Sequence, residues 1–150
     1  MARVYTVDAS VFLNAFNRFE SGYETSREFL SRLRDWALPI VVPTLILPEV
    51  AAVVSRAQNS TGRAQAFARH LQRLPHLVLV PLDTVLAQEA VNVAAQWQMG
   101  GSDAVYAAVA RRFGSILVSL DRQQRERVSP AVPGLSPEEA LADLNGEGSP

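Results

Sequence analysis

The sequence predicts an α/β domain, and three observations carry that expectation. Short apolar runs alternate along the chain with longer amphipathic ones. The apolar runs stop at prolines or acids instead of continuing with helical periodicity. With 150 residues and 48% hydrophobic content, the chain has enough apolar surface for one core. A charged content of 19%, without long polar tracts, argues against disorder. No apolar run approaches the roughly 20 residues that span a bilayer. Arg3 leads directly into Val4 to Val7, and Asp8 then interrupts any apolar leader segment, so a soluble, cytoplasmic protein is expected.

Val4 to Val7 reads as the first strand, ending at Asp8, and Ala9 to Phe16 as a short helix. Phe19 to Tyr23 forms a loop around Gly22. Glu24 to Trp36 follows as a helix with Phe29, Leu30, Leu33 and Trp36 on one stripe. Ile40 to Val42 is a strand closed by Pro43. The next helix opens at Thr44, or at Pro48 itself, and runs to about Ala57. Asn59 to Gly62 marks a turn, Arg63 to Leu74 a helix, and Leu77 to Val80 a third strand. Asp83 or Thr84 caps a helix running to Gln98. Met99-Gly100-Gly101 breaks the chain, and Ser102 caps a helix from Asp103 to Phe113. Ser115 to Leu120 is a fourth strand, ending at Asp121. Beyond it, Gln123 to Val128 suggests a helical turn and Ala131-Val132 a short edge strand. Ser136-Pro137-Glu138-Glu139 is a capping box opening a helix to Leu144, before a frayed tail from Asn145 to Pro150. The division expected is a domain over residues 1–132 and a C-terminal extension over 133–150.

Composition narrows the chemistry. Cysteine is absent, which removes disulfides, thiolate nucleophiles and thiolate metal sites. Lysine is absent too, which removes Schiff-base chemistry and a P-loop lysine. His70 and His76 are the only imidazoles, six residues apart around Pro75, and are read as structural or surface residues. Carboxylates dominate what is left. The formal charge of −1 conceals a basic surface: of fifteen acids, setting four aside for a site leaves eleven against fourteen arginines. Arg56 to Arg73 contains no acid, and Arg111, Arg112, Arg122, Arg125 and Arg127 form a second basic group; either is also readable as a solvated helix face.

Three carboxylates fall at comparable positions. Asp8 and Asp121 lie just past the carboxyl ends of buried strands, and Asp103 opens a helix after the Gly-Gly break. In parallel α/β sheets such positions converge on the ligand crevice. Glu49, near the start of the helix after the second strand, can reach the same crevice. Four acids in one cleft repel one another, and a divalent cation resolves that repulsion; with oxygen ligands alone, Mg²⁺ or Mn²⁺ is the natural occupant. Plainer roles exist for each: a helix-start residue for Asp103, a turn residue for Asp121, an exposed helical glutamate for Glu49. Ser10 and Ser119 offer hydroxyls to a metal-bound water or a phosphate, or to local caps.

Val7-Asp8-Ala9-Ser10, Pro48-Glu49-Val50, Gly101-Ser102-Asp103-Ala104 and Leu117-Val118-Ser119-Leu120-Asp121-Arg122, in that order, resemble the motifs of PIN-domain nucleases, and among them the VapC-type toxins of bacterial toxin–antitoxin pairs. The resemblance covers roughly residues 3 to 132. It implies a PIN-like three-layer sandwich with a mostly parallel sheet of four to five strands flanked by helices. It also implies metal-dependent RNA cleavage, a homodimer and a small antitoxin partner, with Asp8, Glu49, Asp103 and Asp121 as the acidic metal site. Arg112, Arg122 and Arg125 are the candidates for holding the RNA backbone. Other readings are an RNA-processing nuclease that is no toxin, and a PIN-like module that binds RNA or protein without chemistry. A phosphotransfer protein of the haloacid-dehalogenase or receiver type also places an aspartate after its first strand. Both normally use a lysine, and the former a second aspartate where Ser10 stands.

Overall fold

Strand β1 (Tyr5–Val7) lies at the centre of a sheet whose strands are all parallel. The computed structural model describes residues 3–147. In chain order the remaining elements are α1 (Ala9–Ala15), α2 (Tyr23–Asp35), β2 (Ile40–Pro43), α3 (Ile46–Gln58), α4 (Thr61–Gln72), β3 (Leu77–Val80), α5 (Thr84–Trp97), α6 (Gly101–Phe113), β4 (Ile116–Val118), α7 (Arg122–Val128), β5 (Gly134–Leu135) and α8 (Pro137–Glu147). The strand order is β3-β2-β1-β4-β5. The chain therefore winds outward from β1 to β3, then returns to β4 on the other side of β1. The reversal leaves a topological switch point between β1 and β4, with Tyr5 opposite Ile116 and Val7 opposite Val118.

Tyr5, Thr6 and Val7 are all buried, as a central strand covered on both faces requires. Tyr5 packs edge-on against Phe29 of α2 at 5.4 Å between ring centroids. The buried Thr6 hydroxyl pairs with that of Ser115 at 2.6 Å, so this polar pair is satisfied across the β1–β4 junction. On α6, Ala104 through Ala110 are all buried. A helix apolar on every side must be covered on every side, and α6 lies between the sheet and α5. The small alanines admit that close packing, a structural use beyond helix propensity.

Several boundaries move from their sequence-based positions. Helix α6 starts at Gly101 with Gly100 as its N-cap, so Ser102 is inside the helix and does not cap it. Helix α3 starts at Ile46, while the Thr44 hydroxyl accepts a hydrogen bond from the Leu82 amide. Helix α4 is capped by Ser60, whose hydroxyl accepts from the Arg63 amide, which shortens the expected 59–62 turn. The last strand is Gly134–Leu135 and not Ala131-Val132, whose amides bond to the Val128 carbonyl in a turn. Gly134 sits where a Cβ would come within 3.3 Å of the Arg125 backbone, so a larger residue there would push β5 and α7 apart by a few tenths of an ångström.

The expected capping box is present: Glu139 accepts from the Ser136 amide and Ser136 from the Glu139 amide. Helix α8 packs on α2, and its Ala140 and Leu144 belong to the main core. Arg3 ties to Asp143, and Arg32 donates to Asn145 at 2.5 Å. The frayed tail expected from Asn145 is helical to Glu147, and its last residues, 148–150, lie outside the described residues. No helix among the described residues is long and apolar enough to cross a membrane.

Candidate active site

Asp8 follows β1 and caps α1: its Oδ2 accepts the Ser10 amide at 3.1 Å, while its own amide bonds to the Val118 carbonyl. Asp121 follows β4 and caps α7, with Oδ1 accepting the amides of Gln123 at 2.9 Å and Gln124 at 3.2 Å. Each of these aspartates thus anchors one oxygen in a helix N-terminus and keeps the other available. They flank the switch point. Asp103 lies in the first turn of α6, where the helix dipole favours negative charge, and its side chain is only 14% exposed. Glu49 lies in the first turn of α3, half-buried.

The four acids do not form one tight cluster. Asp8 and Asp103 are close enough to Glu49 for their charges to disfavour its ionisation. Asp121 joins through Arg127, whose Nε donates to Asp103 Oδ2 at 2.8 Å and whose Nη2 lies 3.8 Å from Asp121 Oδ2. Among the described residues, no three carboxylate or imidazole side chains stand ready to grip a single ion. The donor set nevertheless suits a hard divalent cation, because every candidate ligand offers carboxylate oxygens.

Glu49 has a partner that the sequence reading missed. Tyr106, one turn beyond Asp103 on α6, donates its hydroxyl to Glu49 Oε1 at 2.7 Å. Burial, together with the nearby charges of Asp8 and Glu49, pushes the Tyr106 phenol well above its ordinary range, so it stays a donor. Its i, i+3 spacing from Asp103 was the available signal. For Glu49, burial raises the carboxyl pKa most, Asp8 and Asp103 raise it further, and the Tyr106 bond lowers it.

A carboxyl with a raised folded-state pKa holds its proton more tightly folded than unfolded. Stability then declines as pH rises from the ordinary carboxylate range through the raised value. In EDTA, Glu49→Gln is expected to flatten that decline and to raise Tm at pH 7 by roughly 1–3 °C, since the amide oxygen still accepts from Tyr106. Thermal melts of both proteins from pH 4 to 8 check this. A Tm for the variant at or below that of wild type at pH 7 contradicts it.

Ser10 and Ser119 are engaged inside the chain. Ser10 Oγ accepts the Leu120 amide at 3.2 Å, which stitches α1 to the turn after β4. Ser119 is fully buried, donating to Gln124 and accepting from the Asp121 amide, so it sets the Asp121 turn. Arg125 donates to the Ser119 carbonyl and Arg122 pairs with Glu126. Arg112 pairs with Glu89, nine residues from Asp103 and so about 13 Å along α6. Arg127 is the guanidinium at the acids, and nothing in the sequence set it apart from its basic neighbours.

His70 stacks edge-on against Phe16 at 5.1 Å, and His76 takes a left-handed turn before β3, its backbone carbonyl accepting the Ile40 amide; both residues are exposed. A cleft of about 510 Å³ between α1, α2 and α4 is lined by Phe12, Phe16, Leu30 and Leu74, with none of the four acids in its wall.

An all-parallel α/β sheet with aspartates flanking its switch point defines the class of protein. Residues 5–128 match the PIN domain model, and the chain belongs to the PIN domain family. Solved structures with this fold include DNA-bound VapBC from Salmonella typhimurium, at 15% identity and TM-score 0.68 over 91% of this chain and 99% of that one. VapBC2 from Rickettsia felis, bound to a DNA fragment from their promoter, matches at 14% identity and TM-score 0.67, covering 89% and 98%. VapC20 from Mycobacterium tuberculosis, described as a sarcin-ricin loop cleaving toxin, matches at 19% identity and TM-score 0.63, covering 81% and 92%. No curated protein sequence matches the chain.

Proposed function

We propose that this chain is a divalent-metal-dependent ribonuclease, acting in the cytoplasm as the toxin of a toxin–antitoxin pair. The observation that carries the reading is the placement of Asp8, Glu49, Asp103 and Asp121 around the β1–β4 switch point of a PIN fold. Structural likeness to VapBC complexes and to VapC20, described as a sarcin-ricin loop cleaving toxin, supports the substrate and the antitoxin partner. A homodimer is part of the same reading.

Asp8, Asp103 and Asp121 would hold Mg²⁺ or Mn²⁺, with Glu49 completing the set. A bound cation would lower the pKa of the attacking water and neutralise charge on the phosphate. Glu49 would orient the attacking water and accept its proton. The new bond would form between the water oxygen and phosphorus, the bond to the leaving ribose oxygen would break, and solvent would protonate the leaving group. Tyr106 holds the Glu49 carboxylate in place throughout. Arg122, exposed beside Asp121 and paired with Glu126, would turn to meet a phosphate oxygen.

The test is RNA cleavage by the metal-stripped chain. Cleavage is expected with Mg²⁺ or Mn²⁺ and none in EDTA; activity indifferent to EDTA overturns the metal chemistry. Expression is expected to arrest growth, and Asp103→Ala to relieve the arrest. Growth unaffected by the active nuclease removes the toxin role and leaves an RNA-processing enzyme.

A further inference from the structure

Arg127 meets the same carboxylate oxygens that a cation would need. Asp121 engages Oδ1 with two helix amides, so Oδ2 is its available atom, and that atom faces Arg127 at 3.8 Å. Asp103 gives its Oδ2 to Arg127 Nε at 2.8 Å. One guanidinium therefore links two acids from different elements, α6 and the turn after β4. It does so from the last turn of α7, the helix that Asp121 itself caps. Its side chain is 42% exposed, so it can swing away without disturbing the core.

We propose that Arg127 is a built-in competitor for the divalent ion. It neutralises Asp103 and Asp121 in the metal-free protein and must give up their Oδ2 atoms before an ion takes them. This rests on the metal-dependent reading above. The alternative, that Arg127 orients Asp103 for the ion, has the opposite sign: removing a competitor tightens metal binding, whereas removing an orienting partner weakens it.

The experiment is calorimetric titration of Mn²⁺ into metal-stripped, full-length wild type, Arg127→Ala, Arg127→Lys and Arg34→Ala. Arg34 pairs with Asp35 at the far end of α2 and serves as the charge control. Arg127→Ala is expected to bind Mn²⁺ roughly three- to tenfold more tightly, the scale of losing one partly exposed ion pair, with Arg34→Ala unchanged. Arg127→Lys retains the positive charge and should lie between wild type and Arg127→Ala. In EDTA, Arg127→Ala should melt below wild type, and saturating Mn²⁺ should raise its Tm by more than it raises that of wild type. Equal or weaker Mn²⁺ affinity in Arg127→Ala overturns the competitor role while leaving the metal site standing. Mn²⁺ binding by none of the four proteins overturns the metal reading and this inference together.

Discussion

Asp8→Asn is expected to fold normally and to lose RNA cleavage by at least about a hundredfold. The substitution is chosen for what it keeps. Asp8 caps α1 by accepting the Ser10 amide, and asparagine caps helices about as well as aspartate. It removes the negative charge at the carboxyl end of β1. The variant should match wild type in circular dichroism and in Tm within about 2 °C, because one unit of repulsion with Glu49 disappears as the cap persists. Asp8→Ala should lose the same activity and about 1 kcal/mol of stability besides, through the lost cap. Cleavage by Asp8→Asn within tenfold of wild type would remove Asp8 from the chemistry.

The largest stability effect is expected at the opposite end of the chain. Leu144 is 1% exposed and belongs to the main core with Ala140, although both follow the 5–128 stretch that matches the family model. Leu144→Ala should cost about 2–5 kcal/mol and lower Tm by roughly 5–15 °C. Ending the chain after Leu135 removes α8 altogether and uncovers the face of α2 on which it packs. That protein should be insoluble or melt without a cooperative transition. A truncated chain melting like wild type would show that α8 is an appendage.

The site was legible in the sequence where local signals and topology coincide. Asp8 and Asp121 each end a buried apolar run, and the same sequence that ends the strand caps the next helix. Asp103 was marked by the glycine pair that starts α6. Glu49 had no such marker, because α3 opens without a side-chain cap and its glutamate resembles any first-turn acid. Tyr106 carried only its i, i+3 spacing from Asp103, since its contact with Glu49 spans 57 residues; Arg127 acts through a contact 24 residues away that periodicity cannot report. The four longer strands emerged as apolar runs. The fifth did not, because a two-residue strand has no alternation, and the Ala131-Val132 pair looked more strand-like than Gly-Leu.

The pairing of β1 with β4 has a consequence for how the protein comes into being. Tyr5 and Ile116 are register partners across more than a hundred residues, so the central pair of the sheet closes only after most of the chain exists. Contacts of such sequence separation slow folding, because the intervening loop must be ordered before they form. During synthesis Asp8 emerges early and waits for Asp121 and the helix behind it. A ribosome-bound fragment ending before β4 therefore carries three of the four acids but no assembled crevice. The four acids are brought around the switch point in one late step, when the last strands join the sheet.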